Sequence, residues 1–148
     1  MLLFRVGETK YGCDVCAAQE IIPLRQCTRL PGAPAFVRGL VNVRGTIVTV
    51  LDLRLRLVAD STPADSGAVL LVRHGQRLVG VVVDEVVDVK RLVIQTTEAT
   101  DAGGALVRGV GRPIDSDNNS DDGATQAVVV LDIDALIKQV LLSYRGIS

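Results

Sequence analysis

The apolar positions of the chain fall in short β-branched runs rather than in long helical stripes. Leu2-Leu3-Phe4-Arg5-Val6, Val48-Thr49-Val50-Leu51, Leu70-Leu71-Val72 and Val81-Val82-Val83 are each of strand length. Val and Ile lose side-chain freedom in a helix but pack well on a pleated surface, so these runs predict strands. Gly7 with Lys10, and Gly75 with Leu78, bracket connections short enough for hairpins. Helical patterning is confined to two places. Pro34 at a first helical position and Gly39 just past the end predict one or two turns over 34–38. Ile133, Leu136, Ile137, Val140 and Leu141 recur at helical spacing behind Asp132 or Asp134 as cap, which predicts an amphipathic helix from about 133 to 143.

The pattern occurs twice. Shifted by 68 positions, residues 2–12 lie on 70–80 with five of eleven identical. Val37-Arg38-Gly39-Leu40 resembles Val107-Arg108-Gly109-Val110 at a shift of 70, and Val50-Leu51-Asp52-Leu53 resembles Val130-Leu131-Asp132-Ile133 at a shift of 80. A repeat of this length is one supersecondary unit. About five short strands per copy are too few for a broad sandwich and predict a small closed barrel, which removes exposed sheet edges. The expected architecture is therefore mainly all-β: two pseudo-repeated five-stranded barrels, about 10–65 and 70–130, with short helices and a C-terminal helix. The terminal segments are free to exchange between the two barrels. Two hydrophilic stretches interrupt the pattern, one at 59–67 between the copies and one at 113–125, which carries Asp115, Asp117, Asp121 and Asp122.

Composition narrows the class. The 148 residues are 48% hydrophobic and 22% charged, which excludes intrinsic disorder, and a chain this long can bury roughly 70% of its unfolded surface. No run approaches the ~20 apolar residues that cross a bilayer. Periodic sequence begins at Leu2 without a basic leader, so a cytoplasmic setting is expected, and there the three Cys are packing thiols rather than a disulfide framework. The net charge of −1 conceals a gradient: residues 1–58 hold eight Lys/Arg against four acids, and 59–148 hold eight against thirteen.

Catalytic and metal chemistry find little support. Cys13 and Cys16 have the spacing of a redox pair but sit in a strand-like segment, not at a helix start, and with Cys27 and His74 they make no recognisable zinc set. His74, the single His, reads as a hairpin-loop residue, and no nucleophile elbow accompanies it. The acidic stretch places Ser120 and Gln126 where a calcium loop needs Gly and Glu. Phosphate and dinucleotide loops are absent. A single-strand nucleic-acid binder is the alternative reading, since the first half is basic; base stacking would have to use Phe4, Tyr11, Phe36 and Tyr144. The expectation is no enzyme, no cofactor and no metal. Asn42-Val43-Arg44-Gly45 remains, a polar turn between apolar runs. An Arg on a hairpin tip presents a planar five-donor group to a partner, which favours recognition.

Through these residues the chain resembles the CheW family of chemotaxis coupling proteins. The likeness runs through Gln19-Glu20-Ile21-Ile22, Thr28-Arg29-Leu30-Pro31, Pro34-Ala35-Phe36-Val37-Arg38-Gly39, Asn42-Val43-Arg44-Gly45, Val50-Leu51-Asp52-Leu53 and Gly80-Val81-Val82-Val83-Asp84 with Val86 and Val89, over about residues 2–141. The resemblance implies two five-stranded SH3-like barrels. It also implies a non-catalytic adaptor joining the cytoplasmic tip of methyl-accepting chemotaxis receptors to the regulatory domain of a histidine kinase, recruited from the cytoplasm to membrane-associated arrays. By the same resemblance Arg44, Asn42, Ala18, Glu20, Val86 and Val89 would bind receptor, with Gly39 and Gly45 as structural turn residues. Ala18 stands where the family usually has a larger aliphatic residue.

Overall fold

A computed structural model describes residues 1–14, 18–58, 62–63, 65–95, 107–113 and 127–143. In chain order these form β1 (Leu2–Val6), β2 (Thr9–Cys13), β3 (Ala18–Pro23), β4 (Val37–Val43), β5 (Thr46–Asp52), α1 (Leu53–Leu57), β6 (Ala68–His74), β7 (Arg77–Val83), β8 (Glu85–Val89), β9 (Leu92–Gln95), β10 (Val107–Pro113), β11 (Val128–Leu131) and α2 (Ile133–Ser143). The acidic stretch beyond Pro113, Cys16, Tyr144 and part of the 59–67 junction lie outside the described residues.

One sheet runs β3-β6-β7-β5-β4 and the other β8-β1-β2-β11-β10-β9. Under the duplication the first five strands of these two orders correspond one to one. Even the parallel pairings match: Val50 faces Gly80 across β5 and β7, and Val130 faces Gly12 across β11 and β2. Each copy thus contributes its first hairpin to the sheet that the other copy completes. The sixth strand, β9, pairs with β10, and its counterpart in the other sheet is a single bridge between Thr28 and Leu40.

This exchange explains the unbroken apolar runs. Along β6, Val69 and Leu71 face a core inside the five-stranded sheet with Val41, Val43, Val48 and Val50, whereas Leu70 and Val72 face a second core. That second core gathers Leu2, Phe4 and Val6 of β1, Val79, Val81 and Val83 of β7, and Ile133, Leu136 and Ile137 of α2, so it joins the two sheets. A strand buried on both faces cannot alternate polar and apolar residues. Gly12 and Gly80 hold equivalent places where a side chain would crowd the barrel interior: an added Cβ would lie 3.1 Å from Val128 Cγ1 and 2.8 Å from Val69 Cγ1 respectively.

The C-terminal helix forms over the expected residues, with Asp132 Oδ1 accepting from the Ala135 N–H at 3.0 Å as cap. The helix expected over 34–38 does not form. The segment makes one tight turn, closed by the Val37 N–H on the Pro34 carbonyl at 3.0 Å, and then enters β4. Val37, Val41 and Val43 all bury their side chains, and only a strand presents them so. Gly39 is consequently not a helix terminator but the site of a β-bulge, where the register skips from Val37 opposite Leu51 to Gly39 opposite Val50. The helix α1, unexpected from the sequence, starts where Asp52 Oδ1 accepts the Arg54 N–H at 2.9 Å. His74 is the last residue of β6 rather than a loop residue, and its Nδ1 lies 2.7 Å from Asp134 Oδ1 at the start of α2. Among the described residues no helix is long and apolar enough to cross a membrane.

Candidate functional site

The site grows from the turn between β4 and β5. Arg44 and Gly45 both have positive φ, +51° and +88°, as the two central residues of a type I′ hairpin turn require. Asn42 fixes the turn from within, its Oδ1 accepting the Gly45 N–H at 2.8 Å. Arg44 carries one of the few backbone angles that a non-glycine residue adopts reluctantly, and its side chain is thereby aimed across the sheet at β3.

There it meets Glu20. Arg44 Nη1 donates to Glu20 Oε2 at 3.0 Å and Nη2 donates to Oε1, a two-point pairing of guanidinium and carboxylate. The guanidinium beside Glu20 holds that carboxyl below the ordinary carboxylate range, and the carboxylate in turn raises the Arg44 pKa. Both groups face solvent, so the pairing adds little to stability, but it fixes the direction of the Arg. Two of the five guanidinium donors are engaged on Glu20 and three remain for a partner. Arg25 Nη1 lies 3.4 Å from the Asn42 carbonyl and ties the neighbouring segment to the same tip.

The structure brings together Asn42, Arg44, Gly45 and Glu20. The other expected residues stand elsewhere. Ala18 and Val86 occupy equivalent places in the duplication, on the edge strands β3 and β8, and both pack half-buried against the core that joins the sheets. Val89 is 57% exposed at the end of β8, opposite Leu2, and nothing among the described residues bonds it to the Arg44 cluster. Gly39 stands apart from this cluster, at the bulge where the Thr28 backbone approaches β4.

Sequence reasoning passed over Ile47 and Ile21. Ile47 is 59% exposed directly across the hairpin from Asn42, and Ile21 is 46% exposed beside Glu20. Their signal was phase: with Val48 and Val50 inward, Ile47 must point out. Asp52 was also missed as a structural node. It is fully buried, caps α1 and accepts from Arg38 Nη1 at 3.1 Å. An Asp directly before an apolar helical segment is the sequence mark of such a cap.

Of the Cys13/Cys16 pair only Cys13 lies among the described residues. Cys13 is buried in the shared core, and burial followed by the Asp14 charge pushes its thiol up to about 11, which is the opposite of a reactive thiolate. Among the described residues no three His, Cys, Asp or Glu side chains converge as metal ligands.

Twin sheets derived from one duplicated unit, each giving a hairpin to the other, place the chain among proteins built of two SH3-like barrel subdomains. Residues 1–141 match the CheW-like domain, and the chain belongs to the CheW-like family. It is 40% identical over 95 residues to the chemotaxis protein CheW of Klebsiella aerogenes, which covers 64% of this chain and 57% of that protein. With the CheW of Thermotoga maritima it shares 26% identity over 143 residues, 95% of this chain and 88% of that one. The crystal structure of the scaffolding protein TtCheW from Thermoanaerobacter tengcongensis superposes with a TM-score of 0.72 at 23% identity, covering 88% of this chain and 86% of that one. The alignments with the first curated relatives span under two thirds of their length.

Proposed function

We propose that the chain is a non-catalytic adaptor of bacterial chemotaxis, coupling the cytoplasmic tips of methyl-accepting receptors to the regulatory domain of the histidine kinase. It works in the cytoplasm and is recruited to receptor arrays at the membrane. Family membership supports this reading, and the single observation that carries it is the Arg44–Glu20 pairing: a charged side chain presented in the open at a hairpin turn, with exposed Ile47 and Ile21 on the same two elements. The pairing biases the direction of the Arg44 side chain, and Arg is among the residues that most often anchor interfaces.

In this mechanism a helical receptor tip lays its apolar side along the edge strands β3 and β8, meeting Ala18, Val86 and Val89. Arg44 donates its remaining N–H groups to polar groups at the rim, and the kinase docks on a different face. Glu20 keeps the guanidinium in position and offsets its charge, so recognition rests on shape and apolar contact more than on attraction between net charges.

The nucleic-acid alternative is not favoured. Base stacking needs exposed aromatic platforms. Phe4 and Tyr11 stack on each other inside the fold with ring centroids 6.0 Å apart, and Phe36 is covered by the Arg56 guanidinium at 5.7 Å.

Affinity capture with a receptor cytoplasmic fragment tests the proposal. Arg44→Ala should weaken capture roughly ten-fold or more while leaving the melting temperature in place. Undiminished capture by that variant contradicts the role given to Arg44.

A further inference from the structure

Away from the hairpin tip, the segment that precedes β4 folds over the sheet and leaves a hollow of about 250 Å³ between Gln26, Cys27, Arg29, Ala35, Arg38 and Pro63. Among the described residues, those with polar side chains along it are Arg29, Arg38, Gln26 and Cys27, and none of the described lining residues is a carboxylate.

The two arginines differ in a way that matters. Arg38 is anchored by the buried carboxylate of Asp52, 3.1 Å from Nη1, so its guanidinium is fixed at the floor and its charge is balanced from behind. Arg29 is exposed, and no described residue offers it a carboxylate. A guanidinium balanced by Asp52 and an unbalanced one thus line a common, partly apolar space that carries one uncompensated positive charge among the described residues. Guanidinium groups match the planar and tetrahedral oxygen arrays of carboxylates and phosphates. The volume lies below the ~300–1,000 Å³ of sites that enclose drug-sized molecules and suits a single small anionic group.

We propose that this hollow is a binding site for a small oxyanion, taken up by Arg29 and Arg38 with Gln26 at the wall. The oxyanion is either a free phosphate-type ion or the carboxylate of an acidic side chain presented by another protein. Nothing in the adaptor reading requires the site, and it stands apart from the Arg44 clamp.

Cys27 lines the same space and reports on its occupancy. The test follows maleimide alkylation of Cys27, quantified on its own peptide by mass spectrometry, in the full chain with chloride, inorganic phosphate or a blocked diglutamate peptide at matched ionic strength. Phosphate, the peptide or both should slow Cys27 labelling several-fold in the wild type. The effect should be lost in Arg29→Ala and partly kept in Arg29→Lys. Slowing by phosphate alone assigns the site to a free anion, and slowing by the peptide assigns it to an acidic side chain of a partner. Equal labelling rates in all three solutions, or the same slowing in wild type and Arg29→Ala, overturn the proposal.

Discussion

Replacing Gly39 with Ala should be among the most damaging single-methyl additions in the molecule. The added Cβ would stand 2.1 Å from the Thr28 carbonyl oxygen, 2.7 Å from its carbon and 3.0 Å from Arg29 Cα, all of them backbone atoms. Those atoms cannot turn aside, because Thr28 and Leu40 exchange two hydrogen bonds of 2.8 Å each. Relief means breaking at least one of these, at about 0.5–1.5 kcal/mol net, together with an overpacking strain of about 1–3 kcal/mol. The backbone angle of +132° adds about 1–3 kcal/mol for any residue with a Cβ. The total is about 2.5–7.5 kcal/mol. For a chain of this length each kcal/mol moves the melting temperature by about 2–4 °C, so a fall of roughly 5–30 °C is expected. Circular dichroism melts and urea titrations of Gly39→Ala measure it, with Gly45→Ala as the control. Gly45 also has positive φ, +88°, but a Cβ there meets nothing within 4 Å, so only the angle term remains. If the two variants melt within about 2 °C of each other, the clash with Thr28 is not what makes Gly39 necessary.

Other outcomes follow from the same contacts. Asp52→Ala removes the α1 cap and leaves Arg38 without its buried partner, for a loss of about 2–4 kcal/mol in urea unfolding; Asp52→Asn, which can keep the cap, should lose about half of that. Cys13, whose thiol is raised to about 11, stabilises the fold in its neutral form. That contribution is complete below the unfolded thiol value of about 8.5 and is lost as pH rises through about 11, so Cys13→Ala should flatten the alkaline limb of a stability-against-pH curve. Glu20 is held below the carboxylate range, so its pairing with Arg44 persists down through about pH 4.3 and fails only as pH falls through the lowered native value. Receptor capture should therefore stay constant from neutral pH to about 5, and a midpoint near pH 6 would point to a different group.

Much of the fold was legible because duplication and alternation are written in the sequence itself. The shifts of 68, 70 and 80 residues correspond to β1–β2 on β6–β7, β4 on β10 and β5 on β11, and the helical spacing at 133–143 became α2. What the sequence hid was settled by contacts distant in the chain. Leu53-Arg54-Leu55-Arg56-Leu57 alternates with the period of a strand, yet Asp52 caps it as a helix against β7 and β1. Pro34 and Gly39 imitate helix punctuation, but the pleat demanded by Val37, Val41 and Val43 overrides it. At the site, Arg44 could be read from its turn. That it would lie locked to Glu20 depended on β3 and the β4–β5 hairpin meeting across 24 residues of sequence, which periodicity does not encode.

The proposed adaptor would act by docking two partners at once. The direct measurement is kinase autophosphorylation in a reconstituted mixture of receptor fragments, histidine kinase and this chain, with co-sedimentation of all three. Wild type should bring the kinase into the receptor fraction and raise its phosphorylation, while Arg44→Ala, folded and kinase-binding, should do neither. Sedimentation and phosphorylation indifferent to the presence of the wild-type chain would contradict the account.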